Sequence, residues 1–225
     1  MTLQTVFNKT DVVIPARLDA QAPIHELLAN RRSPRAFSVQ PVSSEKLLSL
    51  FEAARWSPSS ANEQPWRYIV ATKDDTSVFA ALSASLMEGN RRWAEHAPVL
   101  VLALAQTTYS KSGGPYLHAW YDLGQSVAYL SVQATALGLV VHQMGGFDGE
   151  NIRQALAIPE GFEPVIVFAV GYTDQPTILP EDLQKRELAP RSRKLLKDFV
   201  YTEEWGTSSA HVQTQNSLLT QTLTN

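Results

Sequence analysis

Residues 57–70 read SPSSANEQPWRYIV, and the change of pattern inside this stretch decides the fold. Its first half, Ser57 to Pro65, is made of small polar residues and proline, which is the chemistry of a loop. Its second half, Trp66 to Ala71, is aromatic and β-branched and reads as a strand. Immediately upstream, Leu47, Leu48, Phe51 and Ala54 recur at helical spacing, with Ser43 or Ser44 as N-cap and Pro58 as the stop. Further upstream, Ile24, Leu27 and Leu28 mark a short helix that runs into Asn30-Arg31-Arg32 and is halted by Pro34. Residues 1–22 are polar and read as an arm.

Downstream of the strand a helix is expected around Val78, Phe79, Leu82 and Leu86. The run Val99 to Ala105 is apolar throughout, the pattern of a central strand buried on both faces. Gly113-Gly114-Pro115 then opens the longest helix, from Tyr116 to Leu137. Its positions Ala119, Leu123, Val127, Leu130, Ala134 and Leu137 form one face, while Trp120, Ala128 and Val132 make other faces apolar too. Such a helix belongs in a core or at a subunit interface. Gly138 ends it, Leu139 to Met144 is a strand, Gly145-Gly146 a turn, Ile152 to Leu156 a short helix, and Glu163 to Val170 a last strand closed by Gly171. The intermixed helices and strands give an α+β domain over 23–200. The segment 201–225 is rich in Ser, Thr and Gln and reads as a tail or as an arm covering a partner surface.

With 225 residues, 44% of them hydrophobic, the chain has material for one domain with a substantial core. A formal net charge of -3 argues against a general nucleic-acid or anionic-membrane binder. The absence of cysteine excludes disulfides, iron–sulfur clusters, thiolate zinc sites and a cysteine nucleophile. No signal-like or membrane-spanning run is evident, so the expected compartment is the cytoplasm. The two common phosphate-cradling glycine loops are missing, and the five histidines show no metal-ligand spacing. Gly124-Gln125-Ser126 starts like a hydrolase elbow but lacks the second glycine and falls inside the long helix.

The positive signal is basic. Arg31-Arg32-Ser33-Pro34-Arg35 is matched far along the chain by Arg191-Ser192-Arg193-Lys194. Arginine's planar fork suits phosphate, so two such clusters in a mildly acidic protein could meet on one anion. Taken alone, each cluster is better read as a complement to a helix dipole or as a solvated face.

The whole series of segments changes that weighing. RRSPRAF, SPSSANEQPWRYIV, the apolar strand after Ala97-Pro98, the long helix ending in ALGL, then MGGFD, AIPEGFEPVIVFAVGY and PRSRK follow one another in an order that resembles the nitroreductase family of FMN enzymes. The resemblance spans roughly Ile24 to Val200. It implies a three-layer α/β/α sandwich with a mixed, mostly antiparallel sheet, in an intertwined homodimer with two FMN sites at the subunit interface. It implies non-covalent FMN, NADH or NADPH as reductant, and a small-molecule electron acceptor such as a nitro compound or quinone, used in ping-pong fashion. Neither nucleic acid nor membrane is an expected partner.

Carried over residue by residue, the resemblance assigns Arg31 and Ser33, with Arg32, to the FMN phosphate and ribityl chain. It sets Arg35 near the pyrimidine end of the flavin, where a cation stabilises the negative charge of the reduced ring. Pro58, Ser59, Ser60, Ala61 and Asn62 resemble the loop delivered from the second subunit. Gln143, Met144, Gly145 and Gly146 resemble the strand end whose backbone faces the flavin, and Arg191 and Arg193 match a closing pair that returns to the phosphate. Asn90 is a weaker candidate, because Gly89-Asn90-Arg91-Arg92 is out of step by one residue. Some family members carry an acid where Gly145 stands, which leaves the substrate range open. The rival readings are specialised flavin chemistry on the same fold (reductive dehalogenation or flavin breakdown) and a non-catalytic flavin binder.

Overall fold

A computed structural model describes residues 20–213. The rest of the expected arm, 1–19, and of the polar tail, 214–225, lies outside the described residues.

The strands are β1 (Trp66–Thr72), β2 (Val99–Gln106), β3 (Val140–Met144) and β4 (Phe162–Gly171), paired in the order β1-β2-β4-β3. Every pairing is antiparallel, so the sheet expected to be mixed is antiparallel throughout its described strands. The wholly apolar run in β2 lies between β1 and β4, as its composition requires. Its side chains alternate between two cores. Leu100, Leu102 and Leu104 enter one and Val99, Val101, Ala103 and Ala105 the other. β4 divides likewise, with Val167 and Ala169 on one face and Phe168 and Val170 on the other.

Helices cover both faces, which makes the three layers. On the first face lie α3 (Thr76–Ser85), α4 (Glu88–Ala94), α6 (Gly149–Ala155) and α7 (Glu181–Leu188), contributing Phe79, Leu82, Trp93, Ile152 and Leu183. On the second lie α2 (Ser44–Arg55) and α5 (Ala119–Ala136), contributing Leu50, Ala54, Leu123, Val127 and Leu130. The short helix α1 (Glu26–Asn30) packs on α5. Of the two candidate caps for α2, Ser43 serves, its hydroxyl accepting from Lys46 N. α5 begins at Ala119 rather than Tyr116, because Tyr116 to His118 form a turn. Gly138, at φ +71°, ends α5 in the left-handed conformation that glycine tolerates. Among the described residues no helix is long and apolar enough to cross a membrane.

Two backbone details position the sheet. Pro164 lies in β4 beyond the reach of β3, where no ladder donor is needed, and the β2–β4 register slips there between Ala103 and Leu104. At the other end of β4, a Cβ on Gly171 would lie 2.7 Å from Pro98 Cδ and 3.0 Å from Phe37 Cδ1. Gly171→Ala is therefore expected to destabilise the fold by about 1–3 kcal/mol through overpacking. A urea denaturation midpoint unchanged from the parent would contradict that contact.

Candidate functional site

The two arginine clusters converge. Arg191, 160 residues after Arg31, donates from Nη1 to Arg31 O at 3.0 Å and from Nη2 to Ala29 O at 2.8 Å. These carbonyls end α1 and lack helical partners, so the guanidinium closes that helix end. Arg31 Nη1 in turn donates to Ser33 Oγ at 3.1 Å. Burial and the charges of Arg193 and Arg191 all lower the Arg31 pKa, and burial and Arg191 lower that of Arg32. Like charges are thus held together. Two donor nitrogens in the cluster, Arg32 Nη1 and Arg191 Nε, are buried without a hydrogen-bond partner among the described residues.

Arg31, Arg191, Arg193 and Lys194 line one side of a cleft of about 550 Å³, with Ile24, Leu28, Leu196 and Phe199 on its walls. Among the described residues no carboxylate lines it. A concave site with four cations and no acid is suited to a multiply charged anion that joins an apolar body.

Three side chains fix the turn that carries the first cluster. The Glu187 carboxylate accepts from Arg35 N at 3.0 and 2.9 Å and reaches Arg35 Nη1 at 3.9 Å. Arg191 holds the carbonyls named above. His142 Nδ1 lies 2.8 Å from Pro34 O, and its ring packs 4.4 Å from that of Trp93. A carbonyl partner makes Nδ1 the protonated nitrogen. Burial, foremost, with the charges of Arg35 and Arg31, pushes the His142 pKa down to about 4 against a hydrogen bond that raises it.

Between about pH 6.5 and 4 the unfolded chain takes up a proton at His142 that the folded chain refuses, so the neutral histidine's contribution is present above that window and is lost as pH falls through it. The loss amounts to about 3 kcal/mol. His142→Gln, which can still donate to Pro34 O, is expected to flatten this part of the stability–pH curve, and equal slopes for the two proteins would refute the assignment.

Gly145 and Gly146 follow β3. A Cβ on Gly145 would meet nothing within 4 Å, whereas one on Gly146 would lie 3.0 Å from Asn90 Nδ2. Asn90 Nδ2 donates to Gly146 O at 3.2 Å, so this weaker candidate lies directly beside the glycine pair. Gln143 is exposed and donates to Ser131 Oγ at 3.4 Å, while the Met144 side chain is buried in the core. Met144 therefore offers only backbone to this surface.

The loop Pro58 to Asn62 shares no hydrogen bond, ion pair or ring contact with the arginines among the described residues. It is held at the start of α5, where Asp122, 2% exposed, accepts from Ser60 N at 3.0 Å and from the Tyr116 hydroxyl. Ser59 Oγ accepts from Gln64 N at 3.0 Å. Ala61, Asn62 and Gln64 adopt φ of 53°, 55° and 52°, a left-handed conformation that costs non-glycine residues about 1–3 kcal/mol each. Ser131, the partner of Gln143, lies nine residues beyond Asp122 on α5, roughly 13 Å along the axis.

Asp122, His142 and Glu187 were not among the candidates read from the sequence. Each pairs with a backbone group more than fifty residues away, at Ser60, Pro34 and Arg35 respectively, and no local motif encodes that proximity. Among the described residues, no group of His, Asp and Glu could hold a metal ion.

A three-layer sandwich with an arginine-lined cleft, free of carboxylates among the described residues, defines the class: an α+β protein with a cationic cleft. More narrowly, the chain belongs to the nitroreductase family, whose family model matches residues 28–92 and 75–172, and it is an oxidoreductase. It is 36% identical to a solved protein described as an oxidoreductase containing FMN, with a TM-score of 0.79 over 84% of this chain and 96% of that one. An FMN-dependent nitroreductase of Clostridium difficile R20291 is 26% identical, with a TM-score of 0.57 over 66% of this chain and 87% of that one. A Stenotrophomonas maltophilia protein named "Putative NADH dehydrogenase/NAD(P)H nitroreductase" is 29% identical over 72% of this chain and 91% of its own length.

Proposed function

We propose that the protein binds FMN non-covalently, with the phosphate in the cleft of Arg31, Arg191 and Arg193, and passes hydride from NADH or NADPH to nitro compounds, quinones or similar small electrophiles in a ping-pong cycle. The observation that carries this reading is the acid-free cleft, with buried arginine donors beside it still unpartnered. A phosphate dianion would take up donors that otherwise repel one another. The FMN in the described name of the 36%-identical structure, and the NAD(P)H in that of the Stenotrophomonas protein, support the same assignment.

In this reading Arg31, Arg32 and Ser33 hold the phosphate and ribityl end, with Arg191 and Arg193 closing over it. Arg35 supplies positive charge toward the ring, moderated by Glu187. The backbone of Gln143, Met144, Gly145 and Gly146 lies against the ring, with Asn90 fixing Gly146 O. The flavin, when bound, supplies the two-electron chemistry, so no side chain need act as a strong acid.

The loop Pro58, Ser59, Ser60 and Asn62 completes the site of a second copy, which explains why, among the described residues, no hydrogen bond joins it to the arginines of its own chain. The same homodimer would cover Leu117, in the turn before α5, and Trp120, Tyr121 and Tyr129 along α5, all exposed in one chain. A monomer mass in solution with flavin bound would remove this element of the proposal.

The catalytic part is tested by following NADH and NADPH oxidation with and without a quinone or nitroaromatic acceptor. Acceptor-dependent turnover is expected. A protein that retained flavin but gave no turnover would be a flavin binder, and product analysis under air would expose dehalogenation or flavin breakdown.

A further inference from the structure

The arginine cluster contains one largely buried carboxylate side chain, that of Glu187. Glu187 lies in the last turn of α7, and Arg191 follows it by four residues, the same spacing that separates Arg31 from Arg35. Glu187 bonds Arg35 N, and Arg191 bonds Arg31 O. The two basic segments are therefore laced together in opposite senses, with matched spacing. Further ties come from Arg32 Nη2 to Glu187 O at 3.4 Å and from Ala36 N to the Glu187 carboxylate at 3.5 Å. The Glu187 side chain is only 9% exposed and Arg35's 25%. Its charge also acts on Arg32, raising a pKa that burial and Arg191 lower.

We infer that Glu187 is a positioning residue for phosphate recognition: it pins the 31–36 turn through backbone N–H groups and ties up Arg35, so that Arg31, Arg191 and Arg193 are left facing the cleft. This rests on the proposed FMN site. Arg35 and Arg32 are adjacent to the other arginines but take part of their compensation from Glu187. The cleft cations have no such acid. Glu187 thus divides one dense basic region into a half-neutralised part and an uncompensated part, and only the second can pair fully with a dianion. The glutamate does not touch the ligand. Its effect is transmitted through the backbone at Arg35 and Ala36.

The test is titration of wild type, Glu187→Gln and Glu187→Asp with FMN and with riboflavin, which lacks the phosphate. In Glu187→Gln one of the two carboxylate oxygens that accept from Arg35 N becomes an NH₂, so the turn keeps a single, uncharged acceptor and Arg35 loses its counter-charge. The FMN-over-riboflavin preference is expected to fall by about tenfold, with riboflavin affinity held within about twofold. Glu187→Asp keeps the charge on a shorter stem and is expected to fall in the same direction by less. It decides the matter if the Gln variant does not fold. Simple loss of a negative charge near the phosphate would raise FMN affinity instead. A raised or unchanged preference, or an equal loss for both flavins, overturns the inference. A wild type that does not prefer FMN over riboflavin would instead overturn the underlying site assignment.

Discussion

Replacing Arg31 or Arg191 with alanine is expected to weaken FMN binding by about one to two orders of magnitude while leaving riboflavin binding nearly unchanged. A hydrogen bond to a charged group contributes roughly 1.5–3 kcal/mol, and about 1.4 kcal/mol corresponds to a factor of ten. The two residues are not equivalent in the structure. Arg31 lines the cleft and has one hydroxyl partner, Ser33, whereas both terminal nitrogens of Arg191 are engaged by carbonyls of α1, leaving Nε free. Arg191→Ala should therefore also cost stability, because it uncaps α1, and Arg31→Ala should not. The double variant should depart from additivity, since the Arg191 charge lowers the Arg31 pKa and its removal changes the setting in which Arg31 meets the phosphate. Equal losses for FMN and riboflavin would place these arginines away from the phosphate.

Asp122→Ala is expected to lower stability by about 3 kcal/mol and to release the 58–64 loop. The buried carboxylate lies in the first turn of α5, where the helix dipole favours negative charge. Its removal takes the acceptor from Ser60 N–H and leaves the Tyr116 hydroxyl only Ser60 O at 3.2 Å, and a hydrogen bond to a charged group contributes roughly 1.5–3 kcal/mol. The same contacts hold a loop with three non-glycine residues in left-handed conformation, so the strain is free to relax once they are gone. Tyr116→Phe should cost about 1 kcal/mol, and the pair should be non-additive because one hydrogen bond is lost by either change. Urea unfolding of the two single variants and the double decides this. A loss below about 1 kcal/mol for Asp122→Ala would show that water replaces the carboxylate.

Sequence made the framework legible wherever apolar pattern and burial coincide. The unbroken aliphatic run at Val99 to Ala105 reads as an inner strand and is one, and the stripe from Ala119 to Ala134, on a helix read as belonging to a core or a subunit interface, faces a core. α7 was not read, because Leu183 is its only buried residue and the surrounding segment is polar. Its charge order was a usable signal: Glu181 and Asp182 follow Pro180, and Lys185 and Arg186 fall in the last turn, matching the dipole. The misplaced start of α5 has a local cause, since the Tyr116 side chain is buried, with its hydroxyl on Asp122, and Tyr116 to His118 turn before the helix begins. For the site, arginine density revealed the two clusters but not what organises them. Glu187 and His142 act through backbone partners at Arg35 and Pro34, more than a hundred residues away, and that pairing exists only once the sheet has formed.

The central claim, that a flavin held at these arginines carries electrons from a nicotinamide to a separate acceptor, is tested most directly by an anaerobic reductive titration of the purified protein. The account predicts that NADH or NADPH bleaches the visible flavin band at about one equivalent per bound FMN, and that a nitroaromatic or quinone added afterwards restores it. Protein that carries no flavin after reconstitution with FMN, or bound flavin that neither nicotinamide reduces, would contradict it.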